Sequence, residues 1–95
     1  MNDYIFLMYR APEPITADWP SYLSRLKSTG RFSGGSSMGD GLCVSKNGTT
    51  DVSSNLVGYI RVVADSLESA RDLLAGNPVY AAGGMVEIRE LPTDG

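Results

Sequence analysis

Residues 4–9, YIFLMY, form an unbroken apolar and aromatic run, too short for a stable helix and suited to a central strand covered on both faces. Ala11, Pro12, Glu13 and Pro14 then interrupt any ladder, because proline lacks the donor that a central strand needs. Trp19, Tyr22, Leu23 and Leu26 recur at helical spacing. Thr16 or Asp18 can cap this helix, Pro20 is tolerated in its first turn, and Gly30 is a natural stop. Residues 31–41, RFSGGSSMGDG, hold four glycines and three serines, which predicts a short strand passing into a loop. Residues 42–46 and 49–52 flank Asn47-Gly48, a pair that accepts the positive φ values of a type I′ turn, and so predict a projecting hairpin.

Residues 57–64 return to β character, with Tyr59, Arg61 and Val63 on one face and Gly58, Ile60 and Val62 on the other. Asp65 or Ser66 opens a second helix, Glu68 completes a capping box with the former, and Leu67, Ala70 and Leu74 supply its core stripe. Gly76, Asn77 and Pro78 end it, and residues 79–84 read as a small-residue link. Residues 85–91 then alternate, Val86 and Ile88 against Glu87 and Arg89, as a half-buried last strand does, and residues 92–95 read as a frayed tail.

The order predicts an α+β domain over residues 1–95: a ferredoxin-like βαββαβ with an inserted β-hairpin, its antiparallel sheet covered by two helices. Two helices cover one sheet face. The other is expected to carry some of Tyr4, Phe6, Met8, Tyr59, Val63 and Met85, too apolar to stay wet, so a sheet-to-sheet homodimer is expected.

Composition narrows the chemistry. Ninety-five residues with 42% hydrophobic content suffice for one modest core. Eleven acidic and eight basic residues are spread along the chain with no basic run to track a phosphate backbone, so nucleic acid is not an expected partner. No stretch approaches the roughly 18 to 20 apolar residues that span a bilayer, and MNDYIFLMYR lacks the basic start of a signal peptide, so a cytoplasmic location without membrane contact is expected. There is no histidine, which excludes a Ser-His-Asp hydrolase and leaves the single Cys43 without a base to form its thiolate. Asp65, Glu68 and Asp72 read as cap and solvated face, far short of the roughly six oxygens a hard cation takes, so no metal and no cofactor is expected.

Three segments carry a family resemblance: the opening YIFLMYR, the helix and glycine-rich stretch YLSRLKSTGRFSGGSSM, and the ending GYIRVVADSLESARDLLAGNP followed by VEIREL. Together they resemble the YCII-related family, whose relatives include the DGPF group of small bacterial proteins. The resemblance implies a ferredoxin-like dimeric α+β barrel. Some members are similar to enzymes that use a histidine on the first helix and an aspartate in the following loop, one activity being dehydrochlorination of an aromatic substrate. Tyr22 stands where such members have the histidine, and Asp40 lies roughly where the aspartate would be.

The catalytic candidates are therefore Asp40, as a base in a desolvated pocket, and Tyr22, as a polariser. The bland alternatives are a turn residue between two glycines and a core residue spaced with Trp19 and Leu26. Ser36 and Ser37, with the amides around Gly34, Gly35 and Gly39, are candidates for an anion nest, and Arg10, Ser36, Ser37 and Tyr59 form the candidate ligand-binding set. Arg61 is a further candidate for an acidic ligand, or else pairs with Glu87 or Glu90. Two functions compete: a cleft near the first helix that binds a small polar or aromatic metabolite, with cofactor-independent proton transfer or elimination, and a non-catalytic interaction or regulatory module. The enzymatic version requires Tyr22 and Asp40 to face one pocket.

Overall fold

The computed structural model describes residues 1–52 and 55–92; the expected tail lies, from residue 93 on, outside the described residues. The elements are β1 (Asn2–Tyr9), α1 (Trp19–Ser28), β2 (Phe32–Ser37), β3 (Leu42–Ser45), β4 (Gly48–Asp51), β5 (Leu56–Ala64), α2 (Leu67–Asp72), α3 (Pro78–Ala81) and β6 (Val86–Leu91). This is an α+β chain with a four-stranded sheet, ordered β2-β5-β1-β6, and a separate two-stranded sheet, β3-β4. Every pairing is antiparallel. It follows that β1 and β2 run parallel to each other across β5, joined through α1, while β5 and β6 run parallel across β1, joined through α2 and α3.

The helices pack on one sheet face. Tyr4, Phe6 and Met8 of β1 and Ile60, Val62 and Ala64 of β5 meet Tyr22 and Leu26 of α1, Ala70 and Leu74 of the α2 region, and Val79 of α3. Phe6 and Val62 are fully buried, and burying side chains of this size stabilises by about 1.5–3 kcal/mol each. The opposite face is open. Ile5 and Leu7 pair across β1 and β5 with Arg61 and Tyr59, and across β1 and β6 with Arg89 and Glu87. Tyr4, Phe6 and Met8 therefore belong to the helix-covered face rather than the open one, where Ile5, Leu7 and Tyr9 take their place beside Tyr59 and Val63. A run that is apolar at every position gives no phase, so only pairing with its neighbours sets which residues point inward.

Other expectations change with the structure. Among the described residues the helices are three: α3 is a four-residue helix where a link was expected, with Asn77 as its N-cap accepting from the Tyr80 amide at 3.0 Å and Pro78 in its first turn. The residue at the preceding stop, Gly76, sits at φ +83°, and a Cβ there would collide with the Arg25 guanidinium, which donates to the Ala75 carbonyl. Ser66 rather than Asp65 caps α2, accepting from the Ser69 amide at 3.1 Å, and Leu67 is exposed instead of contributing to the stripe. The glycine-rich segment is strand through Ser37. A register shift between Phe32 and Gly34 leaves Ser33 unpaired, and its carbonyl accepts from Arg61 Nη2 at 3.0 Å. In the hairpin, Ser45 pairs with Gly48, so Lys46 and Asn47 are the central turn residues. Neither has a positive φ, which rules out type I′; the positive φ falls on Gly48 as it opens β4.

Candidate functional site

A cavity of about 360 Å³ lies where the start of α1 meets the β2–β5 end of the sheet. Its floor is open for a reason visible in the register. Gly35 of β2 lies beside Ile60, and Ser37 of β2 lies beside Gly58 of β5, so these positions share the helix-facing side and two of them have no side chain. Gly35 tolerates no Cβ, which would stand 2.6 Å from the Tyr59 carbonyl oxygen. At Gly58 a Cβ would approach the Ser36 carbonyl at 3.1 Å and Met8 Cε at 3.3 Å. Trp19 and Leu23 of α1, Ile15 ahead of it, and Phe32 and Met8 from the sheet wall the space. Val79, carried on α3, also lines it.

Electrostatically this is an apolar chamber. Among the described residues that line it there is no aspartate, glutamate, lysine or arginine, and of its polar lining residues Ser36, Ser37 and Tyr59 only Ser37 shares the helix-facing side with Gly35 and Gly58. Ser36 Oγ donates to the Ser37 carbonyl at 2.8 Å. Three of the four candidate ligand-binding residues thus border one cavity. The fourth, Arg10, lines a separate depression of about 310 Å³ with Met38, Asp40, Asp51 and Leu56.

The two catalytic candidates are not brought together. Tyr22 is buried, and its hydroxyl donates to the Leu73 carbonyl at 2.7 Å, tying α1 to the end of α2. Its ring stands edge-on to Trp19 at 6.1 Å, with the Arg25 guanidinium 5.9 Å from its centroid. Burial pushes its pKa above the ordinary value of 10.0, against smaller downward effects from Asn77 and Arg25. A hydroxyl so held is a poor proton shuttle near neutral pH. Asp40 is exposed and accepts from the Gly41 amide at 3.2 Å, folding its carboxylate back on its own turn. Tyr22 lines neither the cavity nor the Asp40 depression.

The anion nest expected at Ser36 and Ser37 meets a geometric obstacle. Successive amides of an extended strand point to opposite edges, so those of β2 do not converge on one anion. Arg61 is held by the Ser33 carbonyl, while Glu87 takes Arg89 at 3.1 Å and the Tyr9 hydroxyl at 2.9 Å. The Tyr9 hydrogen bond, and then Arg89, hold the Glu87 carboxyl below its usual range; the same bond raises the Tyr9 phenol. Cys43 is exposed on β3. Among the described residues, no group of three or more Cys, Asp or Glu side chains is placed to hold a metal ion, and no helix is long and apolar enough to cross a membrane.

Sequence reasoning did not single out Ile15, Leu23, Phe32 or Val79 as cavity residues, and it assigned Trp19 only to the helix stripe. The available signal was glycine at both 35 and 58 in segments that pair, a gap that register alone reveals. In comparisons with known proteins, no family model matches this chain, and neither a curated protein nor a solved structure does.

Proposed function

We propose that this chain is a small-molecule-binding domain of the ferredoxin-like, YCII-related kind, taking a ring-bearing metabolite into the cavity between α1 and the glycine-floored end of the sheet. The carrying observation is the cavity itself, lined by Trp19, Leu23, Phe32, Ile15 and Met8 beside the side-chain gaps at Gly35 and Gly58. Its size falls at the lower end of the roughly 300–1,000 Å³ typical of ligand pockets, which suits a compact molecule of one or two rings. The strand order β2-β5-β1-β6 with two interleaved crossovers supports the ferredoxin-like assignment.

Binding without catalysis is the reading favoured here, because Tyr22 spends its hydroxyl on the Leu73 carbonyl and Asp40 lies in a different depression. Association into a homodimer through the open sheet face belongs to the same proposal, supported by Ile5, Leu7, Tyr9, Tyr59 and Val63, which are only half-buried in one copy. Light scattering at micromolar concentration is expected to give the dimer mass, and a monomer overturns that part.

Trp19 is the chain's single tryptophan and lies on the cavity wall, so ligand entry reads out directly in its fluorescence. Titration with small aromatic metabolites is expected to change that emission and raise the melting midpoint. A ligand at 100 times its dissociation constant adds about 2.7 kcal/mol, worth several degrees for a domain of this size. The response is expected to survive Asp40→Ala; its loss in that variant transfers the site to the 38–41 loop and revives the catalytic reading.

A further inference from the structure

We infer that the cavity selects an uncharged ring compound, seated against the Gly35–Gly58 floor, with one hydroxyl or carbonyl directed to Ser37. The inference rests on the cavity being the binding site and goes beyond it in naming the charge state and the anchoring group. An ionised ligand entering this space would lose water and meet no charged side chain in the described lining; the nearby Lys27 ammonium is engaged over the Phe32 ring, 5.3 Å from its centroid. A purely apolar ligand would leave the serine end of the chamber unused.

The anchor follows from hydrogen-bond accounting. Ser36 Oγ is spent on the Ser37 carbonyl, whereas Ser37 Oγ has no hydrogen bond among the described residues. Its pairing with Gly58 puts Ser37 on the cavity side of β2, because side chains alternate along a strand. A hydroxyl both donates and accepts, so it serves a ligand hydroxyl or a ligand carbonyl equally well. Trp19 and Phe32 contribute flat apolar side chains to the lining beside the glycine positions, which favours a ring over a flexible chain.

The test compares 2-naphthol, 2-naphthoate and naphthalene at neutral pH by Trp19 quenching on the wild-type chain. The naphthol is expected to bind at least about tenfold more tightly than the naphthoate, a ratio equal to about 1.4 kcal/mol. It should also bind more tightly than naphthalene, and Ser37→Ala should erase that second preference while leaving naphthalene unchanged. Naphthoate binding as tightly as the naphthol, or a hydroxyl preference that survives Ser37→Ala, overturns the inference while the cavity reading stands. A thermal shift by 2-naphthol that persists undiminished in the cavity-filling Leu23→Trp, or Trp19 quenching that persists undiminished in the milder Gly58→Ala, locates the ligand elsewhere and overturns both. No binding of any probe by calorimetry also overturns both.

Discussion

Replacing Tyr22 by phenylalanine separates a structural strut from a catalytic group. The ring is 2% exposed and stays in place in the variant, so the change removes one oxygen and its 2.7 Å bond to the Leu73 carbonyl. A hydrogen bond of this kind contributes a net 0.5–1.5 kcal/mol or so, and an acceptor left dry raises the cost to roughly 1–3 kcal/mol. A loss of about 1.5 kcal/mol corresponds to a midpoint drop of roughly 6–12 °C in a domain of this length. Calorimetry or circular dichroism gives the midpoint directly. The pH dependence supplies a second readout. Because burial raises the folded Tyr22 pKa above 10.0, its neutral form contributes stability that is present below pH 10.0 and lost as pH rises through the higher folded value. Tyr22→Phe therefore loses stability at neutral pH and also loses that part of the alkaline decline. A variant with an unchanged midpoint and an unchanged alkaline limb refutes the reasoning, since the hydroxyl would then be neither buried nor bonded as described.

Gly35→Ala is expected to destabilise by about 2 kcal/mol or more, because the new Cβ must displace backbone of β5 rather than a mobile side chain, and a urea midpoint equal to wild type contradicts the close approach. At low pH, Glu87 loses its contribution as pH falls from 4.5 through its lower folded value, and Tyr9 loses its own as pH rises from 10.0 through its raised one. Tyr9→Phe should accordingly flatten both limbs of the midpoint-versus-pH curve, and a curve unchanged at both ends argues against the Tyr9–Glu87 bond. Amides of β3 and β4 are expected to exchange with solvent far faster than those of β1 and β5, since both strands of the small sheet are exposed throughout and an isolated two-stranded hairpin is marginal in water. Equal protection of the two sheets by hydrogen exchange contradicts that.

The parts of the fold legible in the sequence are those where one period dominates. Trp19, Tyr22, Leu23 and Leu26 mark α1 through its spacing, and Gly58, Ile60 and Val62 mark the inner face of β5 through alternation. The glycine-rich β2 was less legible, because glycine is disfavoured in strands and only pairing with β5 overrides that tendency. The four residues of α3 are too few to show a period, although Asn77-Pro78 is as good a helix start as it is a stop. The site was harder still. Ser36 and Ser37 were found through the glycine-rich stretch, but the cavity depends on side chains that are missing at Gly35 and Gly58, and their juxtaposition is a fact of register rather than of local sequence.

The excursion that carries β3 and β4 leaves and re-enters the sheet at one place. Ser37 pairs with Gly58, and the Met38 amide still donates to the Val57 carbonyl at 2.9 Å, so β2 and β5 are adjacent antiparallel strands whose connecting segment is far longer than their geometry requires. Entropically that length is cheap, since each doubling of a flexible loop adds only about 0.6 kcal/mol to closure. Kinetically it matters more, because the β2–β5 pairing that builds the cavity floor must wait for a distant stretch of chain to return. The β3–β4 excursion therefore costs the sheet little in closure entropy and acts as a brake on its assembly, and a chain rebuilt with a tight turn between β2 and β5 would pair those strands sooner.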